Sequence, residues 1–346
     1  MNKNLITILK VAVMLVIAAL IAFTLHKSWS KVNWNQVQID WRWGILAIVG
    51  FAGSMLTSAL VWRCLAFKMS PEQARGKTLP LLACYTFSQM GKYIPGKVAL
   101  LLMRIDRASR FGLSAGTTTL STLLENALYM ISGALVGMTA IPPIAASLNP
   151  RIRPFLWPVC ILAVLLLTSA CAPPVFYGLV NRLLKKMNRP AVPRDHWLSA
   201  PTLIAAVVAF LPVWLFGGLA LWASAHCVHA IPLPQSWWFP GAFALSVIIG
   251  MASLLPGGTG IREAVLGGAA AIQFMAAGMP QPDAVVLGSV VAVLQRIFQV
   301  IVEILLGSLG ALITGMAKPP IPPNTAAPAS PRAMESAPTN APGASS

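Results

Sequence analysis

Apolar residues run along this chain in blocks too long and too unbroken for a soluble core. Runs of roughly twenty residues are what an α-helix needs, at about 1.5 Å per residue, to cross a ~30 Å hydrocarbon layer. Such runs occur at 5–25, 45–67, 117–141, 155–180, 201–225 and 284–316. Two more apolar segments, 81–102 and 239–279, are broken in the middle. The first is interrupted by Gly91-Lys92-Tyr93-Ile94-Pro95-Gly96-Lys97 and the second by Pro256-Gly257-Gly258-Thr259-Gly260-Ile261-Arg262-Glu263. Each predicts two short helices around a Pro-Gly turn, since proline lacks an amide donor and glycine favours helix ends.

The polar residues between the runs set the topology. Lys68, Arg75 and Lys77 precede the first broken segment, and Arg182, Lys185, Lys186, Arg189 and Arg194 form the most basic loop. Positive-inside bias places both loops in the cytoplasm. Three crossings between them would put them on opposite sides, so the first broken segment is predicted to be a re-entrant hairpin. That choice also keeps Arg104, Arg107 and Arg110 inside. The uncharged stretch 226–238 then lies outside, and the second broken segment dips in from that face. Span, span, hairpin, span repeats with opposite orientation: an inverted-topology repeat, the arrangement of transporters whose site lies between two interrupted segments. The expectation is an all-α integral membrane protein with six full spans and two re-entrant hairpins. Residues 1–317 form the membrane domain, with repeats at about 1–145 and 150–317. The Pro/Ala/Ser-rich residues 318–346 form a disordered cytoplasmic tail.

Charge placed inside apolar runs is the main pointer to chemistry, because an ionised side chain at the bilayer centre costs about 2.5–3.5 kcal/mol on insertion scales. Glu125, Arg262, Glu263, Arg296 and Glu303 stand in that position. Glu125, Tyr129 and Ser132 share one helical face, as do Arg296, Gln299 and Glu303. Either these groups pair to lock the two halves together, or some of them line a polar cavity that holds a lipid headgroup. Half-helices starting after Pro95 and near Gly260 would aim free amides at an anion, with Lys97 and Arg262 in their first turns. Arg262 can grip a phosphate with two donors and has Glu125 or Glu263 as candidate ion-pair partners; Lys97 acts as a point charge. Gly257, Gly258 and Gly260 either allow close backbone approach to the ligand or simply turn the hairpin. Lys92 and Arg104 either attract anionic headgroups from the cytoplasmic leaflet or are solvated loop charges, the second being the reading adopted. Trp29, Trp34, Trp41, Trp43, Trp237 and Trp238 read as interfacial anchors.

Composition narrows the function class. Of 346 residues, 57% are apolar and 10% charged, against roughly a quarter charged in soluble domains. The 25 Lys and Arg outnumber the 9 Asp and Glu, but they cluster between apolar runs, so anionic lipid rather than nucleic acid is the expected partner. The basic start and the following apolar run read as an uncleaved first span rather than a signal peptide. The scattered cysteines Cys64, Cys84, Cys160, Cys171 and Cys227 give neither a disulfide framework nor a zinc site. His226 and His229 lack an acidic third ligand. No cofactor is expected and no enzyme motif is found: no Walker loop, HExxH or GxSxG.

At Lys92-Tyr93-Ile94-Pro95-Gly96-Lys97, at Leu255-Pro256-Gly257-Gly258-Thr259-Gly260-Ile261-Arg262-Glu263 and at Gln295-Arg296, the chain resembles the lysylphosphatidylglycerol synthase transmembrane-region family, also called flippase-like membrane proteins. The resemblance runs to about Met316. It implies a multi-pass bacterial inner-membrane protein, both termini cytoplasmic, that handles a lipid: aminoacylated phosphatidylglycerol in some relatives, glycolipid or isoprenoid-linked pathways in others. Full-length synthases carry a cytosolic aminoacyl-transferase domain after the membrane region; only a short tail follows here, so synthase activity is not expected. The family's Glu-Arg pair in the first-half span stands here as Glu125-Asn126. The function expected is binding and translocation of an anionic phospholipid or lipid-linked phosphate. The alternatives are a non-transporting subunit of a lipid- or glycan-modifying complex and a polyprenyl-phosphate-dependent membrane enzyme.

Overall fold

The structure is a computed structural model that describes residues 39–93, 98–148, 150–151, 153–170, 172–186, 191–194, 197–253, 258 and 260–316. The predicted first span, both tryptophans before Trp41, Lys97, Gly257 and the tail lie outside these residues. All regular structure among the described residues is helical. The helices are α1 (Trp41–Met69), α2 (Pro71–Ala74), α3 (Thr78–Ser88), α4 (Val98–Ser109), α5 (Ala115–Gly137), α6 (Ile141–Ser147) and α7 (Arg153–Ala170). They continue as α8 (Pro173–Lys186), α9 (Ala200–Ala209), α10 (Leu211–His226), α11 (Phe239–Ala252), α12 (Ile261–Ala276) and α13 (Gln281–Gly315).

Four helical stretches are long and apolar enough to cross a membrane: Trp41–Met69, Ala115–Ser147, Ala200–His226 and Gln281–Gly315. They coincide with four of the predicted spans. The predicted span 155–180 is not one helix. It is divided into α7 and α8, because Pro173 and Pro174 supply no amide donors to continue the ladder but suit the first turn of a new helix. Both broken segments fold as pairs of short helices, α3 with α4 and α11 with α12, and the arms of each pair pack on each other. These arms hold 11, 12, 14 and 16 residues, each below the roughly twenty that a crossing needs.

Lipid tails are as apolar as leucine, so helix association here rests on close backbone approach and buried hydrogen bonds. α1 and α10 meet where a Cβ on Gly50 would lie 2.8 Å from the Phe216 carbonyl oxygen. α12 and α13 meet at Gly267 and Gly288, where a Cβ on Gly267 would lie 2.9 Å from the Gly288 carbonyl oxygen. Tryptophan indole N–H groups tie α1 and α10 to α5. Trp62 Nε1 donates to Ser121 Oγ at 3.1 Å and Trp214 Nε1 to Ser132 Oγ at 3.0 Å, all four residues buried. The interfacial assignment of Trp238 fails. The ring is 3% exposed and donates to Gln273 Oε1 at 3.0 Å, whereas Trp41 and Trp237 are 59% and 60% exposed. Trp43 packs its ring against Trp222 and His226.

Each broken segment keeps neighbours in its own half, α3 on α1 and α11 on α10, and also reaches across the chain. α3, from the first, packs on α13, and α11, from the second, packs on α5, while α1 and α10 pack on each other. The polar stripes of α5 and α13 therefore face the middle of the bundle.

Candidate functional site

A cavity of about 460 Å³ lies where these elements meet, lined from α1, α3, the 3₁₀ turn Gln89–Tyr93, α4, α5, α11, α12 and α13. Its wall is apolar at Phe51, Met55, Phe243 and Val247 and neutral polar at Ser54, Ser58, Gln89, Asn126 and Gln299. Five charged side chains reach it: Lys92, Arg104, Glu125, Arg262 and Glu303.

Four of these charges are matched in pairs. Arg104 is not a solvated loop residue. It is 1% exposed, and its Nη1 lies 2.6 Å from Glu125 Oε2. Its Nε donates to Ser88 Oγ at 3.0 Å, and its guanidinium sits over the rings of Tyr85 and Trp62. Tyr85 Oη donates to the other Glu125 oxygen at 2.9 Å. The cation that serves Glu125 thus comes from α4, in space rather than from position 126, where Asn126 Nδ2 donates to the Thr122 carbonyl at 2.8 Å. Lys92 is likewise no loop charge. It forms an ion pair with Glu303, which also accepts from Tyr93 Oη at 2.5 Å and Gln299 Nε2 at 2.6 Å.

Arg262 is different. Neither Glu125 nor Glu263 pairs with it; Glu263 instead accepts from the Gly260 amide at 2.6 Å, capping α12, and its other oxygen lies 3.6 Å from Arg296 Nε. Among the described residues, Arg262 Nε is buried without a hydrogen-bond partner. The guanidinium lies over the Phe243 ring, 5.9 Å from its centroid. Glycines make room for its stem. A Cβ on Gly250 would lie 2.6 Å from Arg262 Cγ, and one on Gly258 2.9 Å from both Cγ and Cδ. Gly258 and Gly260 have φ of 67° and 86°, which glycine adopts without strain. Gly258 lines the cavity; Gly260 serves as the N-cap residue of α12.

The residues singled out from sequence therefore divide. Glu125, Arg262, Glu303 and Gly258 meet at the cavity, while Glu263 and Arg296 pair beside it. Arg104 and Lys92, assigned from sequence to loops, and Tyr85 and Tyr93, given no role there, complete the network. The spacing of these partners hides the pairing in sequence: Lys92 stands 211 residues from Glu303 and Arg104 stands 21 from Glu125.

The sequence pattern of the lysylphosphatidylglycerol synthase TM region matches residues 7–307. The chain belongs to that family. The match spans both broken segments and every residue that lines the cavity, from Phe51 to Glu303, so the whole lining falls within the lysylphosphatidylglycerol synthase TM region. A comparison with individually curated proteins gives no match. The family membership and the four long apolar helices make this a multi-pass membrane protein related to lipid handling.

Proposed function

We propose that the chain binds an anionic phospholipid or lipid-linked phosphate at the central cavity and carries its headgroup across the bacterial inner membrane. The observation that carries this is Arg262: a cation at a cavity wall, beside the start of α12, with no carboxylate partner among the described residues. An unmatched guanidinium in a low-dielectric site is costly unless an anion joins it, and its planar fork suits phosphate. Translocation is supported by the packing of α3 on α13 and of α11 on α5 across the chain, which an inverted repeat of two re-entrant hairpins would produce and which suits alternating access. The residues act by binding and charge matching, with no catalytic step assigned.

The test is lipid exchange in vesicles reconstituted with the purified protein and acyl-labelled phosphatidylglycerol. Leaflet exchange should exceed that of protein-free vesicles and fall at least tenfold in Arg262→Ala. Exchange equal to empty vesicles, with only bulk lipid co-purifying, would end this proposal in favour of a non-transporting subunit.

A further inference from the structure

The charges at the cavity say more about the headgroup than that it is anionic. Among the described residues, three cations, Lys92, Arg104 and Arg262, face two carboxylates, Glu125 and Glu303, so their lining carries 3 − 2 = 1 excess positive charge. Both carboxylates are already engaged on both oxygens. Glu125 receives Arg104 and Tyr85; Glu303 receives Lys92, Gln299 and Tyr93. A phosphodiester brings one negative charge and matches the excess. An ammonium on the same headgroup would find no unmatched carboxylate among the lining residues, and burying a charge without a partner is costly. The rest of the polar wall consists of hydroxyls and amides at Ser54, Ser58, Gln89, Asn126 and Gln299. Those groups both donate and accept, which suits hydroxyls.

We infer that the cavity selects a headgroup whose only charge is one phosphodiester and whose remainder is neutral and hydroxylated, a glycerol or a sugar, and that it disfavours aminoacylated or ethanolamine headgroups. The inference rests on the proposed lipid binding and adds a substrate class to it.

The test titrates the detergent-purified full chain with phosphatidylglycerol, lysyl-phosphatidylglycerol and phosphatidylethanolamine of identical acyl chains, counting bound lipid by native mass spectrometry. Phosphatidylglycerol should bind at least tenfold more tightly than either amine-bearing lipid. Asn126→Asp, which places an unmatched carboxylate at the wall, should narrow that ratio at least threefold; the wild-type ratio decides the matter by itself if the variant is unstable. Saturable binding with an amine-bearing lipid equal to or tighter than phosphatidylglycerol overturns the selectivity but leaves lipid binding standing. Absence of saturable binding by all three overturns both.

Discussion

At the residue scale, the cavity separates charges that hold the protein together from a charge left for a ligand. Arg104 and Glu125 are buried partners, and deleting either strands the other. Glu125→Gln should therefore lower unfolding stability by about 3–5 kcal/mol, the usual cost of breaking a buried pair, measured as a loss of thermal stability in detergent. Arg262 has no such partner, so its substitutions should spare stability and harm binding. Arg262→Lys keeps the charge but loses the two-donor fork, which at about 1.5–3 kcal/mol for a charged hydrogen bond corresponds to roughly tenfold or more in lipid affinity. A lysine variant that folds normally and exchanges lipid as fast as wild type would make Arg262 a structural charge. The sequence pointed to Arg262, Glu125 and Glu303 because an ionised residue inside an apolar run is conspicuous. It hid Arg104, which shares a short helix with Arg107 and a chain neighbourhood with Arg110 and so looks like one of a basic cluster at a membrane edge. Only the packing of α4 on α3 and α5 turns it inward.

At the scale of elements, hydropathy and proline placement made the helices legible, but not the contacts between them. Runs of apolar residues marked α1, α5, α10 and α13, and the two Pro-Gly turns marked the division of α3 from α4 and of α11 from α12. The 155–180 run misled because hydropathy alone does not weigh Pro173 and Pro174, which end one helix and begin another. Which helix meets which depended on glycines that no periodicity singles out. At Gly288 the backbones of α12 and α13 meet: a Cβ there would crowd Ala271. Gly288→Val should thus force the two helices apart and destabilise by about 1–3 kcal/mol, the usual range for overpacking. A valine variant that melts with wild type would show that the α12–α13 contact adjusts without loss. The same reasoning applies to Gly250 beside Arg262, where the added methyl of Gly250→Ala meets the arginine stem. Lipid affinity should fall with Arg262 itself intact, and rebinding at wild-type strength would argue that the stem simply shifts.

At the scale of the whole molecule, the decisive quantity is how often the chain crosses the membrane. Short arms, packing across the chain and a cavity lined from both halves all favour hairpins that enter and leave on one face. Charge parity makes the idea sharp, with α7, an apolar helix of 18 residues, as the second crossing after α5. The basic end of α8 and the α4 hairpin should share the cytoplasmic face, and the stretch before α11 should lie opposite. Gln235, Asp106 and Lys185 are exposed. In a background lacking all five cysteines, single cysteines at 106 and 185 should react with an impermeant maleimide only from the cytoplasmic side, and one at 235 only from the periplasmic side. Labelling of position 106 from the periplasm would make the first broken segment a full crossing. It would put Arg104 and Lys92 on a through-going helix pair, and it would remove the inverted repeat on which translocation, though not lipid binding at Arg262, depends.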